Sequence, residues 1–240
     1  NTEANLQALE CPFAEINDDA HYREHSLEVQ LPFLQTVLGE FTITPILVGN
    51  TQPSDVARLL ELLWEGENTL ILISSDLSHY LPYETAESVD IESCNKIEAL
   101  EVKALESYMA CGCTAIQGLM TVAEKKKQVL KLIDRRNSGD TAGDRSQVVG
   151  YASFLYLPEY EARMVFSLDE KNLLLEVVRN SIAQKLELEE VYDLDGLGFA
   201  ERNAATFVTL KYQGKLRGCI GTLQAHRSLR NDLFYNAQAA

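Results

Sequence analysis

TLILISSDLSHY, residues 69–80, decides the fold. Thr69–Ile73 is a continuous apolar run bounded by turn signals, the pattern of a strand buried on both faces of a parallel sheet. Hydroxyl, carboxylate and imidazole side chains follow at once in Ser74, Ser75, Asp76, Ser78 and His79. In open α/β sheets ligands bind outside the carboxyl ends of strands, so this loop is where a site is expected.

Working outward, helical and strand-like patterns alternate. Leu27, Leu31, Leu34 and Leu38 fall at helical spacing, and Pro32 fits only in the first turn of that helix. Ile43–Val48 reads as a short strand closed by Gly49 and Asn50. Pro53 then opens a helix with Val56, Leu59, Leu60, Leu63 and Trp64 on one face. Helical patterns return over Ala86–Tyr108 and Thr114–Glu124, and strand-like runs over Val129–Ile133 and Val148–Tyr156. This alternation predicts an α/β domain with a mainly parallel sheet over residues 1–157.

The charged, proline-containing stretch LPEYEAR around residues 158–164 is read as a linker. Beyond it, residues 165–240 read as an α+β region. Ser167 with Glu170 forms a capping box that opens a long helix, with Leu174, Val177 and Val178 inward. Phe207–Tyr212 and Lys215–Ile220 flank Gln213-Gly214 as a β-hairpin.

The bulk numbers narrow the function classes. The 240 residues carry 36 acidic against 21 basic side chains, a formal net charge of −15. Such an excess repels phosphate backbones and argues against nucleic acid as a partner. No apolar run approaches the ~20 residues needed to cross a bilayer, so no membrane association is expected. Five cysteines, an odd number scattered along the chain, argue against a disulfide framework and for a reducing, cytoplasmic compartment. The chain starts at Asn1 and stops within a helix-like stretch, which reads as a fragment.

Several residues could carry chemistry. Asp76 and His79 can pair, the carboxylate fixing the imidazole whether the ring is a base or a metal ligand. The alternative is that Asp76 caps the next helix and His79 is an ordinary loop residue. Cys111 precedes Gly112 and a helix starting near Thr114, a placement that suits a nucleophile or a soft metal ligand. A small buried hydrophobe is the competing role. With Cys113 it makes only a C-x-C pair, short of a structural zinc site. His25 either faces the same pocket or simply sits near a helix start. The 137–144 loop is dense in turn formers. Arg217, Gly218 and Cys219 lie in the most distinctive string of the second region, LRGCIG, with Arg217 and Cys219 on one face. That face suits a small-ligand pocket or a packing requirement.

Taken together, EHSLEVQLPFL (24–34), SSDLSHY (74–80), ACG (110–112) and RNSGDTAGDRSQVVGYASF (136–154) closely resemble the Memo family, also called AmmeMemoRadiSam system protein B. FVTLKYQGKLRGCIGT (207–222) resembles the AMMECR-type domain, system protein A. The resemblance implies a class III extradiol dioxygenase-like fold, amino-terminally truncated here and followed by a partial AMMECR-type domain. It also implies a pocket able to hold Fe(II) or another transition metal, with Cys111 as a ligand, His79 and Asp76 lining it, and His25 in a weaker role. The family's other metal-binding histidines are implied to lie in an amino-terminal part outside this chain, so the site of Cys111 and His79 is expected to be incomplete and the fragment inactive. A radical-SAM system protein is the implied partner, with an unknown small molecule or peptide as ligand. Three functions are thus expected in competition: a metal-dependent, dioxygenase-like redox protein; a cysteine-nucleophile hydrolase or transferase using Cys111 with His79 and Asp76; and a non-catalytic binding or adaptor module.

Overall fold

The computed structural model describes residues 2–64, 66, 68–141, 143–188 and 197–240. Ala142, within the 136–154 string, therefore lies outside the described residues. The chain divides into two compact units, Asn1–Val165 and Phe166–Ala240.

The first unit opens with three short helices, α1 (Thr2–Ala8), α2 (Asp18–His21) and α3 (Leu31–Val37). Pro32 stands in the first turn of α3, where its missing N–H costs nothing. The leucine pattern before Leu31 folds as turns, so this helix is shorter than its periodicity predicts. Pro53 starts α4 (Pro53–Leu63), whose Val56, Ala57 and Leu60 pack with Val122 of α6 (Cys113–Lys126). Between them come β1 (His79–Leu81) and α5 (Tyr83–Glu98). The unit closes with β2 (Gln128–Asn137), β3 (Val148–Pro158) and the single turn α7 (Glu159–Ala162), which falls within the stretch read as linker. Ile97, Leu105, Met109, Cys113, Met120, Ala123 and Leu130 form the main core, joining α5 and α6 to β2.

The sheet differs from the parallel one expected. Its order is β1-β3-β2, and every ladder among the described residues is antiparallel. The short connection from Ser138 to Gln147 explains this for β2 and β3. It can close a hairpin, whereas a parallel pair needs a crossover of a dozen residues or more. Thr69–Ile73 and Ile43–Val48 are extended but join no ladder among the described residues. The expectation of burial on both faces also fails: Leu70 is 66% and Leu72 48% exposed. Ile71, on the opposite side, packs with the α4–α6 cluster. One face of the run is covered by helices and the other is not.

The second unit follows its sequence pattern closely. The Glu170 N–H donates to Ser167 Oγ at 3.1 Å and the Ser167 N–H to Glu170 Oε2 at 2.7 Å, opening α8 (Leu168–Lys185). Then come β4 (Asn203–Ala204), β5 (Phe207–Tyr212), β6 (Lys215–Gly221), β7 (Arg227–Ser228) and α9 (Leu229–Ala239). Gln213 and Gly214 both take positive φ, +50° and +76°, as the tight hairpin turn requires. Val177, Leu197, Ala200, Val208, Leu229, Leu233 and Ala237 make the core, with Leu174 and Val178 packed against it.

One carboxylate ties this unit together. Asp232 Oδ2 accepts from the Thr206 N–H and hydroxyl, each at 2.7 Å, and from Asn236 Nδ2 at 3.0 Å. Oδ1 accepts from Arg227 Nε and the Thr222 hydroxyl, each at 2.8 Å. Asp232 has no exposed surface but is only thinly covered. Burial pushes its carboxyl up, and the donors, Arg227 foremost, overcome this and hold it at about 2. A carboxyl held below its unfolded value of about 3.9 stabilises the fold above that pH. The contribution is lost as pH falls from about 4 through about 2. Asp232→Ala should destabilise this unit by about 2–4 kcal/mol at neutral pH, read by faster amide exchange across β5, β6 and α9, and the penalty should shrink near pH 2.

Candidate functional site

The loop after Thr69–Ile73 is held from three sides. On one, Ser74 Oγ donates to the Ser26 carbonyl at 2.7 Å and accepts from Gln30 Nε2 at 3.0 Å, docking the 24–30 segment beside the loop. On the second, the chain before α6 closes on it: the Gly112 N–H donates to Ser75 Oγ at 2.8 Å and the Cys111 N–H to the Asp76 carbonyl at 3.2 Å. The Asp76 N–H donates back to Cys111 Sγ at 3.2 Å, and Ser75 Oγ lies 3.5 Å from the same sulfur. Asp76 and Cys111 thus grip each other through both backbone and side chain.

The third side is the interior. Leu77 and Ser78 are buried, Leu77 among Cys94 and Ala110. With these two residues turned inward, the Asp76 and His79 side chains both remain partly open to solvent. His79 Nε2 sits 3.5 Å from Asp76 Oδ2. The next residue, Tyr80, takes a positive φ of +56°, uncommon for an aromatic side chain, at an irregularity in the β1–β3 register. Its ring lies 5.8 Å from the His79 imidazole.

The structure therefore brings together Asp76, His79 and Cys111. Cys111 lies one residue before the N-cap of α6, Gly112, and is exposed rather than a core hydrophobe. His25 is exposed; its N–H donates to Glu24 Oε1 and its carbonyl accepts from the Val29 N–H. Among the described residues no group of three or more His, Cys, Asp or Glu side chains is placed to hold a metal ion. His25 consequently does not complete a ligand set with Cys111 and His79.

Sulfur and imidazole suit a transition metal, but a stable site needs three or four protein ligands. His79 Nε2 already faces Asp76, and Cys111 Sγ already accepts an N–H. The described residues alone do not fit a metal centre.

In the second unit, Arg217 and Cys219 are both exposed in β6, and Arg217 falls at a register shift between the pairs Leu210–Gly218 and Lys211–Leu216. The Arg217 guanidinium lies 5.6 Å from the Tyr212 ring centroid and Cys219 Sγ is 3.3 Å from Thr209 Oγ1. A side chain at Gly218 would collide with the Ala240 carbonyl, so this glycine answers a packing requirement.

Comparison with known proteins gives the family. The pattern of the family described as Memo-like protein matches residues 2–155. The chain belongs to the Memo-like family. A second pattern, AMMECR1, matches residues 175–240, so the Memo-like unit is followed by an AMMECR1 domain. A MEMO1 family protein of Aquifex aeolicus is 39% identical over 166 residues, covering 65% of this chain and 62% of that protein. One from Desulfurococcus amylolyticus is 36% identical over 156 residues, covering 60% and 55%, and one from Thermoplasma acidophilum 37% over 148 residues, covering 58% and 55%. The chain thus spans little more than half the length of these relatives. No solved structure matches it. No described helix is long and apolar enough to cross a membrane.

Sequence reasoning placed Ser74 and Ser75 in the site loop but missed that their hydroxyls hold the neighbouring segments. It also missed Asp90. This residue of α5 is 1% exposed and stands at the inward spacing Ala86, Asp90, Ser93, Cys94, Ile97. An acid on the buried stripe of an amphipathic helix is the signal that was available.

Burial separates the five thiols. Cys11, Cys94 and Cys113 are buried, and burial pushes the Cys94 thiol up to about 12 and raises Cys113. Cys111 and Cys219 are exposed. Iodoacetamide near neutral pH should label Cys111 and Cys219 in the native Memo-like protein, and the other three only after unfolding. Mass-spectrometric peptide mapping reads the outcome.

Proposed function

We propose that the Memo-like unit supplies the thiol and oriented-imidazole part of a metal-binding redox site, dioxygenase-like in kind and acting on a small molecule or peptide. One observation carries the reading: a single residue, Asp76, holds the exposed Cys111 sulfur through its N–H and faces His79 Nε2 with its carboxylate. In this reading Cys111 is the soft donor suited to Fe(II) or another transition metal. His79, oriented by Asp76, is the imidazole donor beside it. The further donors come from outside the described residues or from the substrate. An intracellular reducing setting, which keeps Cys111 a thiol, and a radical-SAM protein as system partner belong to the same proposal.

A second reading takes Cys111 as a nucleophile with His79 and Asp76 as base and orienter. The exposure of Cys111 beside a His–Asp pair favours it. Alkylation separates the two: metal that protects Cys111 from iodoacetamide, in a protein spanning the full family length, supports the first. Labelling indifferent to metal, together with a trapped acyl-enzyme, supports the second.

Anaerobic calorimetric titration of the 240-residue chain with Fe(II) should show no submicromolar binding, because two donors fall short of a site. A protein of full family length should bind about one equivalent, lost in Cys111→Ser and His79→Ala. Iron content unchanged by both substitutions would sink the redox reading.

A further inference from the structure

The Asp76–His79 turn has a support that neither the motif nor the proposed chemistry uses. Asp90 Oδ1 accepts the Ser78 N–H at 3.0 Å from beneath the turn. The same dipeptide is bound to β3: the Leu77 N–H donates to the Gly150 carbonyl at 2.8 Å and the Gly150 N–H to the Ser78 carbonyl at 2.9 Å. A Cβ at Gly150 would collide with the Asp90 carboxyl, so glycine is what lets acid and turn meet. Ser78 Oγ is buried by the Asp90 carboxyl yet outside hydrogen-bonding geometry, and it finds no other partner among the described residues. A buried carboxylate placed on an inward helical position costs free energy. Here it is spent on one backbone N–H, between the two residues whose side chains make the site.

We propose that Asp90 is the positioning residue of this site: by holding the Ser78 N–H it fixes the turn that keeps Asp76 and His79 side by side next to Cys111. The proposal rests on the reading of Asp76, His79 and Cys111 as the site. The mechanical logic is local. Leu77 and Ser78 must face inward for Asp76 and His79 to share the outer side, and a freed Ser78 N–H would leave only the Gly150 bonds to hold the dipeptide. Asp90 touches no substrate and acts only through the backbone.

The test uses the metal-free 240-residue chain and the ring-nitrogen NMR signals of His79 at one fixed pH, with Asp76→Ala defining the unpaired imidazole. Asp90→Ala should move the His79 signals most of the way to those of Asp76→Ala. Asp90→Asn, which keeps an oxygen for the Ser78 N–H, should restore them. Leu60→Ala, a cavity in the separate α4–α6 packing, should lower thermal stability and leave them in place. The proposal is overturned if Asp90→Ala leaves His79 at its wild-type position, or if Leu60→Ala moves it equally. Signals unmoved by Asp76→Ala itself would remove the His–Asp pair, and both readings with it. A wild-type measurement covers an Asp90→Ala variant that does not fold: the Ser78 amide should exchange as slowly as the core amides of α5, and exchange at the rate of exposed loop amides overturns the proposal.

Discussion

Two peptide groups gripping each other hold the site in place. The Asp76 N–H reaches the Cys111 sulfur while the Cys111 N–H reaches the Asp76 carbonyl. A loop following an extended segment that joins no ladder among the described residues must find other partners for its backbone groups. Here they find them in the chain before α6. Each such bond contributes only about 1 kcal/mol net, but together they decide geometry: the thiol, the carboxylate and the imidazole come from two segments 35 residues apart in sequence. The α6 core, with Met120, Val122 and Ala123 fully buried, gives the second segment a rigid base.

What was legible in the sequence was what depends on near neighbours. The helix at Pro53, the capping box at Ser167 and the hairpin turn at Gln213-Gly214 each express a local rule, and each stands where that rule puts it. The direction of strand pairing is a nonlocal property. Val129–Ile133 and Val148–Tyr156 have the same composition whether they run parallel or antiparallel, and only the short connection between them argued for a hairpin. Thr69–Ile73 was misread for a related reason. An unbroken apolar run states what could be buried, while Leu70 and Leu72 show that burial also needs a covering layer.

The site was legible in part. Asp76, His79 and Cys111 were visible as residue types able to do chemistry near a strand end and a helix start. Their supports were not, because Ser74, Ser75 and the 24–30 segment act through backbone and hydroxyl groups that every sequence contains in abundance. His25 shows the limit of the motif: it is adjacent to Ser26, which binds Ser74, yet it is itself exposed. Within the EHS string the contact to the loop is made by the Ser26 carbonyl.

Two buried aspartates show how donors, rather than burial, decide what a carboxyl does. Desolvation raises both, yet Asp232 ends at about 2 because a guanidinium, two hydroxyls, an amide side chain and a backbone N–H converge on it. Asp90 is raised, since burial outweighs the Ser78 N–H and the weaker pulls of Arg135 and His79. A carboxyl saturated with donors behaves as a structural tie, indifferent to its surroundings over most of the pH range. Asp90 has fewer donors, and it lies directly behind the residues that carry the Asp76 and His79 side chains. The second unit thus uses its buried acid to close a fold, while the Memo-like unit uses its own to hold the Ser78 N–H.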